Sequence, residues 1–524
     1  MKTTAQLLRA CQQQLERRQQ RLVLLCTDHL VINAANSAAL ILDDQSSDRF
    51  AMHRYRDYLG TSNTLVVLNF THAVHADALA ALAGTVVAGG VLIINLPAAE
   101  SAFCQRLLRH AEAFERVVRL SPDYTLTDML QQLSAQPDEH LAVAHFPSNA
   151  QQQIITTMLA TPQTTHLIMA DRGRGKSTTL GAALANYQGT ARLVVTAPRR
   201  SQIDSLMQYA EGHAEFIAWE RLLELPNSNI LLVIDEAAGL PIHILQQLCQ
   251  RFSVWGIATT VDGYEGCGRG FVIRFLDWLK NHQDFIQHSL EQALRWRNPD
   301  PAEDWLNHVL CLREYRLPIT WQDGYQWVHA STLTDAQLNQ VMQLLLEAHY
   351  QSSPNDLRLL LDDQRQHLLL NSHNGHLVGV LWVAEEGPVD QRLQADILAG
   401  TRRPAGDLLP QALAFKWQLL APMQWRWWRI VRIAVSVNKR RQGCGSGLLK
   451  QLGEAAQQQQ IDAIGSSFGA ADEVIAFWQA NNFQLIHRGV KRQMASGHVN
   501  AMVACGNSKS ACQVIQQRLI EVPL

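Results

Sequence analysis

Residues 170–178 have the types and the spacing of a phosphate-binding loop. A short apolar stretch at 165–169 precedes the loop, and a stretch rich in small residues follows it, which predicts the order strand, loop, helix. Glycine lets the backbone turn its N–H groups inward, and a helix N-terminus adds partial positive charge. Lys176 is expected to reach the β- and γ-phosphates of ATP, and the Ser177 hydroxyl to hold Mg²⁺. Ala170 stands where the usual motif has its first glycine.

A second candidate pair, Asp235 and Glu236, follows the apolar run 230–234. A carboxylate at the end of a buried strand is placed to hold Mg²⁺, which we assign to Asp235, and Glu236 is expected to polarise the attacking water. Taken alone, the pattern fits a helix N-cap after a core strand equally well. Together with Lys176 upstream, it indicates nucleotide binding.

Three further segments resemble helicase-like ATPases. Residues 194–199 read as a strand leading to a loop that can touch a nucleic-acid backbone. The run 263–271 is rich in glycine and contains Arg269, our candidate for neutralising γ-phosphate charge. Gln151 resembles the adenine-reading glutamine of helicases, although two further glutamines follow it directly.

A second anion cradle is expected after the strand-like stretch 429–435. Arg440, Gly443 and Gly445 form the pattern Arg-x-x-Gly-x-Gly between a strand and a helix, which resembles the pyrophosphate loop of GNAT acetyltransferases. Main-chain N–H groups and a helix N-terminus would again bind the anion. The amphipathic stretch 471–480 then leads into another strand, as GNAT domains end; we assign its Phe477 and Trp478 to the core.

Size and composition predict several soluble domains. The chain has 524 residues, 47% of them apolar and 18% charged, which excludes disorder as the general reading. The formal net charge is −2, so contact with RNA must come from local cationic clusters rather than from a global field. Each such cluster is, taken singly, more often a solvated surface. Beyond the N-terminal segment, the clustered cations are Arg402 and Arg403, and then Arg426, Arg429, Arg432, Lys439, Arg440 and Arg441. We assign no role to Arg17, Arg18 and Arg21.

The nine cysteines contain no Cys-x-x-Cys pair, which favours reduced thiols and a cytoplasmic location. No apolar run reaches the length of a membrane span, so we expect no membrane association. The overall class is α/β and multidomain. We predict an N-terminal Rossmann-like α/β domain at 1–145, a P-loop ATPase at 146–319, a GNAT domain at 320–490 and a short tail at 491–524. In the first domain, strands at 22–27, 65–70 and 91–96 flank a helix at 75–87 that Gly89 and Gly90 end.

Few families join a P-loop ATPase and a GNAT domain in one chain, and this combination resembles the bacterial tRNA(Met) cytidine acetyltransferases. The resemblance covers about residues 20–505 and is most specific at the run 263–271. Other segments that carry it are 172–177, 235–238, 385–387, 400–404, 432–435 and 467–469. The chain departs from many relatives at Ser436 and Val437, which replace His-Pro, and at Ala480, where a basic residue is frequent.

The resemblance implies ATP-dependent N4-acetylation of the wobble cytidine of elongator methionine tRNA, with tRNA rather than DNA as partner. ATP would contact Gln151, Asp171, Arg172, Gly173, Arg174, Gly175, Lys176, Ser177, Thr178 and Arg269. Acetyl-CoA would contact Ile433, Ala434, Val435, Arg440, Arg441, Gln442, Gly443, Cys444, Gly445, Ser446 and Glu473. Two alternatives stay open: an RNA-remodelling ATPase whose GNAT domain senses acetyl-CoA, and a protein or small-molecule N-acetyltransferase with a regulatory ATPase. The general base for acetyl transfer and the oligomeric state are unassigned.

Overall fold

The computed structural model describes residues 3–32, 39–98, 101–137, 146–226, 229–260, 269–315, 319–348, 353–492 and 498–519. The chain forms two compact units. The first holds residues 1–313 with 351–358, and the second holds residues 314–350 with 359–524. Across the described ranges, no helix is both long and apolar enough to cross a membrane.

Helices and strands alternate along most of the chain. The helices are α1 Thr4–Arg17, α2 Ala76–Ala83, α3 Ala102–Arg109, α4 Leu126–Ala135, α5 Asn149–Ala160, α6 Lys176–Ala185, α7 Asp204–Tyr209, α8 Trp219–Leu222, α9 Ile242–Arg251, α10 Arg269–His282, α11 Pro301–Val309, α12 Asp335–Ala348, α13 Pro354–Asp362, α14 Gln391–Ala399, α15 Leu408–Trp417, α16 Ala421–Gln424, α17 Cys444–Gln458, α18 Asp472–Ala480 and α19 Lys509–Leu519. The strands are β1 Leu22–Cys26, β2 Leu40–Asp43, β3 Asn63–Asn69, β4 Val86–Asn95, β5 Val117–Leu120, β6 Thr165–Ala170, β7 Arg192–Thr196, β8 Glu215–Phe216, β9 Ile230–Ile234, β10 Ser253–Thr259, β11 Phe285–Leu290, β12 Gly324–Val328, β13 Gln366–His373, β14 His376–Glu386, β15 Trp427–Val435, β16 Ala463–Gly469, β17 Gln484–Arg492 and β18 Val499–Gly506.

The N-terminal sheet is parallel, with the strand order β2-β3-β4-β1-β5. The predicted helix at 75–87 is wrong at its C-terminal end, because α2 stops at Ala83 and Val86 already pairs with Asn63 in the sheet. Gly89 and Gly90 lie inside β4 rather than at a break. Gly89 has φ +78°, and a Cβ there would lie 2.9 Å from the Cβ of Glu16, so the strand passes α1 closely because this residue is glycine.

The ATPase sheet is also parallel, with the order β11-β6-β10-β9-β7-β8. Buried aliphatic side chains from its central strands pack against α6, α7 and α9 on the two faces. On the outer pair of strands, His166 Nδ1 lies 3.0 Å from His288 Nε2. Burial lowers the pKa of both imidazoles, and burial together with His166 lowers the pKa of His288 to about 4.

The second unit contains a mixed seven-stranded sheet with the order β12-β13-β14-β15-β16-β18-β17. The expectation that residues 491–524 form a short tail after a domain ending at 490 is wrong. β18 lies between β16 and β17, and the buried Ala511 and Ile515 of α19 pack against one face of the sheet that these strands form. The strand-like run 499–506 is buried at its centre, so it completes the core of this sheet.

Candidate functional sites

The loop between β6 and α6 has the backbone shape that a phosphate cradle needs. Gly173 has φ +75° and Gly175 has φ +79°, and α6 begins at Lys176 directly after them. Lys176 is buried, and its Nζ donates to the carbonyl oxygens of Ala170, at 2.9 Å, and Asp171, at 3.1 Å. The predicted strand, loop and helix are therefore all present, with the lysine held across the mouth of the loop.

Asp235 and Glu236 lie beside this lysine at the carboxyl end of β9. Burial and the neighbouring Glu236 raise the pKa of Asp235, whereas a hydrogen bond with Ser177 and the charge of Lys176 lower it. Burial lowers the pKa of Lys176, and Glu236 and Asp235 raise it. Glu236 adopts φ +46°, a left-handed conformation that is uncommon for a side chain other than glycine and is frequent at functional sites.

Three buried oxygen atoms at this edge of the sheet have no hydrogen-bond partner among the described residues: Asp235 Oδ2, Thr196 Oγ1 and Thr259 Oγ1. A buried, unpaired oxygen is costly unless a ligand satisfies it. Carboxylate and hydroxyl oxygens are the donors that Mg²⁺ prefers. The hydrogen-bonded pair Ser177 and Asp235 therefore fits the metal position that the sequence predicted.

The segment between β11 and the end of α11 braces the phosphate loop. Leu294 N donates to Gly173 O at 2.8 Å, and the ring of Trp296 would touch any Cβ placed on Gly173. The guanidinium of Arg174, predicted to contact ATP, is buried and donates to Glu303 at 2.8 Å, and Arg172 donates to Ala81 O at 3.0 Å. Both guanidinium groups thus have protein partners. Asp171 is paired with Arg313.

Arg21, to which we assigned no role from the sequence, connects the N-terminal domain with the segment that supports the phosphate loop. Its side chain is buried, its Nε lies 2.6 Å from Asp300 Oδ2, and its Cζ lies 3.7 Å from the centre of the Trp296 ring. Arg21 also donates to Ala83 O at 2.6 Å. Because α2 ends at Ala83, this buried cation and the Trp296 ring link the N-terminal domain to the phosphate loop, in addition to the hydrogen bond from Arg172 to Ala81 O.

Gln151 connects α5 with the loop. Its Oε1 accepts from Ser148 N at 2.8 Å and its Nε2 donates to Arg174 O at 3.1 Å, so its amide serves the helix cap and the loop backbone together. Adenine reading by Gln151 stays a prediction. Residues 263–268 and the side chain of Arg269 lie outside the described residues, so the proposed role of Arg269 also stays a prediction.

Sequence reasoning missed a second arginine, Arg295. Burial lowers its pKa, as do the charges of Arg172 and Arg21, while Glu236 raises it. Its guanidinium therefore interacts electrostatically with Arg172 of the phosphate loop and with the candidate hydrolytic carboxylate of Glu236. The signal in the sequence was the Arg-Trp-Arg run 295–297 in a Trp-rich stretch, which no motif flagged.

In the second unit, β15 and β16 part where acetyl-CoA was expected. They pair in parallel only from Trp427 to Ile430 on β15, whose partners run from Ala463 to Ser466. Beyond that point β15 stays paired with β14, after an irregularity opposite Trp382 and Val383. The main chain of the predicted contact residues Ile433, Ala434 and Val435 therefore borders the widening gap between the two strands.

The second cradle lies directly after β15. Gly443 has φ +82°, α17 begins at Cys444, and a Cβ on Gly443 would meet no atom within 4 Å. Arg440 Nε donates to Val435 O at 3.1 Å, and Arg441 forms an exposed ion pair with Glu473 at 3.3 Å. The loop and Glu473 are thus adjacent, and both are residues that the family resemblance assigned to acetyl-CoA.

Of the aromatic residues near this cradle, Phe477 and Tyr325 differ from the interpretation of the sequence. Trp478 is buried in the core, as predicted, but Phe477 is half-buried, and its ring would lie 3.3 Å from a Cβ on Gly445. Tyr325 on β12 was not predicted at all; its hydroxyl would collide with a Cβ on Gly447. Burial and the nearby Cys444 raise the pKa of Tyr325. Only the three-dimensional pairing of β12 with β13 places Tyr325 there.

These sheets and cradles define a P-loop ATPase joined to a GNAT-type acetyltransferase. The chain is 42% identical to the tRNA(Met) cytidine acetyltransferase TmcA of Idiomarina loihiensis over 83% of its own length and 71% of that protein. The chain belongs to the tRNA(Met) cytidine acetyltransferase family.

Other comparisons agree with this assignment. The TmcA proteins of Pectobacterium atrosepticum and Vibrio cholerae are 33% and 30% identical, over 94% and 91% of this chain and 76% and 71% of theirs. Family models match residues 1–139 (tRNA(Met) cytidine acetyltransferase TmcA, N-terminal), 167–313 (RNA cytidine acetyltransferase NAT10/TcmA, helicase domain) and 340–457 (GNAT acetyltransferase 2).

Proposed function

We propose that this chain acetylates N4 of the wobble cytidine of elongator methionine tRNA, with acetyl-CoA as donor and ATP hydrolysis as a coupled step. One observation carries the proposal: a single chain of this family holds two anion cradles, at the N-termini of α6 and α17. The first is built for a nucleoside triphosphate and the second for the pyrophosphate of coenzyme A.

In the ATPase, the loop amides after Gly173 hold the phosphates and Lys176 neutralises their charge. Ser177 and Asp235 would hold Mg²⁺, which would supply positive charge to the phosphates. Glu236 orients the attacking water and accepts its proton; Thr260 Oγ1 lies 3.2 Å from Glu236 Oε2 and fixes that carboxylate. Arg295 adds positive charge beside Glu236.

In the acetyltransferase, the cytidine amine attacks the thioester carbonyl carbon, the C–S bond breaks with its electron pair on sulfur, and the proton that the amine gives up is balanced by the proton that the CoA thiolate takes up as it leaves. The main-chain N–H of Val435, or of a neighbour on β15, stabilises the oxyanion. The cytidine amine is conjugated with its ring and poorly nucleophilic, so placement contributes more than a strong base. ATP hydrolysis remodels the anticodon loop, because a stacked cytidine cannot reach a buried thioester.

The test is to incubate the purified chain with labelled acetyl-CoA, ATP and total tRNA, and to digest the tRNA to nucleosides. We expect label in acetylcytidine, dependent on ATP and strongly reduced in Lys176→Ala. Label in protein or in a small molecule, but never in cytidine, would overturn the RNA substrate. ATP hydrolysis stimulated by acetyl-CoA without transfer would instead support a sensing role for the GNAT domain.

A further inference from the structure

A cationic patch outside both cradles lies on the second unit and consists of Arg403, Phe415, Lys416 and His487. Lys416 Nζ lies 2.9 Å from His487 Nε2, and the guanidinium carbon of Arg403 lies 5.4 Å from the centre of the Phe415 ring. Arg403, Phe415 and Lys416 are exposed, and His487 is half-buried. The mechanism above uses none of these residues.

Sheet register places the patch at the height where β15 and β16 part. His487 on β17 is paired with Met502 on β18, and Met502 is paired with Ser467 on β16. Two strand spacings correspond to about 10 Å. Ser467 lies just beyond Ser466, the last residue of β16 that pairs with β15. The patch is therefore within reach of a ligand whose reacting base enters the gap.

The patch lies on the face of the sheet opposite the coenzyme A cradle. Paired residues on neighbouring strands project to the same face, and Met502 packs with Leu409 and Leu413 of α15. Leu448 and Leu452 of α17, the helix that begins at the cradle, pack on the other face. A donor held at α17 and an acceptor held at α15 would thus approach the gap from opposite faces.

The charges of the patch are uncompensated. Burial and Arg403 lower the pKa of Lys416, and burial and Lys416 lower the pKa of His487. Within the described part of the chain, neither Arg403 nor Lys416 forms an ion pair with a carboxylate, whereas the nearby Arg429 is paired with Glu386 at 2.5 Å. The imidazole of His487 is therefore neutral near pH 7 and accepts a hydrogen bond from the Lys416 ammonium group, which keeps its other N–H groups and its charge for an anionic ligand.

We propose that this patch binds the RNA acceptor, with a backbone phosphate on the ammonium group of Lys416 and an unstacked base on Phe415. The inference rests on the proposed function and names the surface that holds its substrate. An exposed aromatic ring beside an arginine favours single-stranded RNA over an acidic peptide, because every base has a face that stacks on it. Phosphate oxygens accept charge-assisted hydrogen bonds from the ammonium group of Lys416.

The experiment measures binding of the whole chain to an unmodified elongator methionine tRNA transcript across a salt series. Lys416→Gln and His487→Gln are compared with Lys450→Gln, whose exposed lysine lies on α17 on the opposite face. We expect about a tenfold loss of affinity for Lys416→Gln, with a salt slope smaller by about 0.7 to 0.9 because one phosphate is no longer neutralised. His487→Gln should weaken binding with an unchanged salt slope, because the imidazole is neutral and only positions Lys416. Phe415→Leu should weaken binding without changing the salt slope.

The inference is overturned if Lys416→Gln and Lys450→Gln bind tRNA with equal affinity and slope, or if Lys416→Gln loses acetyl-CoA binding to the same extent as tRNA binding. If polyglutamate displaces tRNA from the wild type but not from Lys416→Gln, the patch binds an acidic peptide and the proposal of an RNA ligand is contradicted. Acetylation of cytidine by the wild type is measured separately. If the wild type is active and the variants bind tRNA equally well, only the inference about the patch is contradicted. A wild type that acetylates no cytidine would contradict the proposed function, and the comparison of tRNA affinities would still test the patch.

Discussion

Replacing Gly175 by alanine should disable the ATP cradle while the rest of the fold persists. Gly175 has φ +79°, and an added Cβ would lie 2.5 Å from Leu294 Cδ1, 2.9 Å from Thr178 Oγ1 and closer still to Gln151 Nε2. Left-handed backbone costs an alanine about 1 kcal/mol, and overpacking costs about 1 to 3 kcal/mol more. The loop can relieve both only by leaving the geometry that holds phosphate.

Binding ATP must then restore the strained loop, so the strain is subtracted from the affinity. About 2 to 4 kcal/mol corresponds to a rise in Kd of about 30-fold to 1000-fold. Isothermal calorimetry with a slowly hydrolysed ATP analogue and Mg²⁺ measures this, with acetyl-CoA titrated into the same sample as a check on folding.

The matched control is Gly212→Ala. Gly212 has φ +81°, but a Cβ there would meet nothing within 4 Å, so this variant has the backbone cost without the collision and lies outside the cradle. We expect its ATP affinity to equal that of the wild type. If Gly175→Ala bound ATP within threefold of the wild type, the assignment of this loop as the phosphate cradle would be refuted.

Three further predictions concern other groups. Gly443→Ala should raise the Kd for acetyl-CoA about fivefold or more through backbone cost and occlusion of the open cradle, while ATP binding stays unchanged in calorimetry. Glu236→Gln should lower kcat for ATP hydrolysis about 100-fold or more with ATP affinity nearly retained, and an unchanged kcat in a phosphate-release assay would exclude Glu236 as the base. The pKa of His288, depressed from 6.5 to about 4 in the folded state, means that the unfolded state binds more protons between these values, so stability falls as pH falls through this window. We expect about 1 kcal/mol lost at pH 5, after allowance for partial solvent exposure, and less loss in His288→Gln by thermal unfolding at pH 7.5 and 5; identical pH dependence would contradict this.

The local motifs could be predicted because their chemistry is contiguous in sequence. The strand, glycine turn and helix at Lys176, and the same order at Gly443, each follow from backbone preferences within about ten residues. The apolar run 230–234 likewise fixed the position of Asp235.

What was missed depends on distant pairing. Arg21 becomes a structural residue only because Asp300 and Trp296 fold against it, and its polar, Gln-rich surroundings gave no hint of burial. Tyr325 reaches the second cradle through strand order alone. The helix ending at Ala83 was overextended because Val86 and Val87 continue an apolar run whose period does not separate a buried helix from a strand.

The position of β18 has a consequence for biosynthesis. Residues 499–506 are translated after every other strand of the sheet, yet they separate β16 from β17. Until they leave the ribosome, β16 presents a bare hydrogen-bonding edge to the cell, while the ATPase unit has already been made. The acetyltransferase sheet therefore needs shielding from other chains until synthesis is nearly finished, and its closure is a late event in maturation.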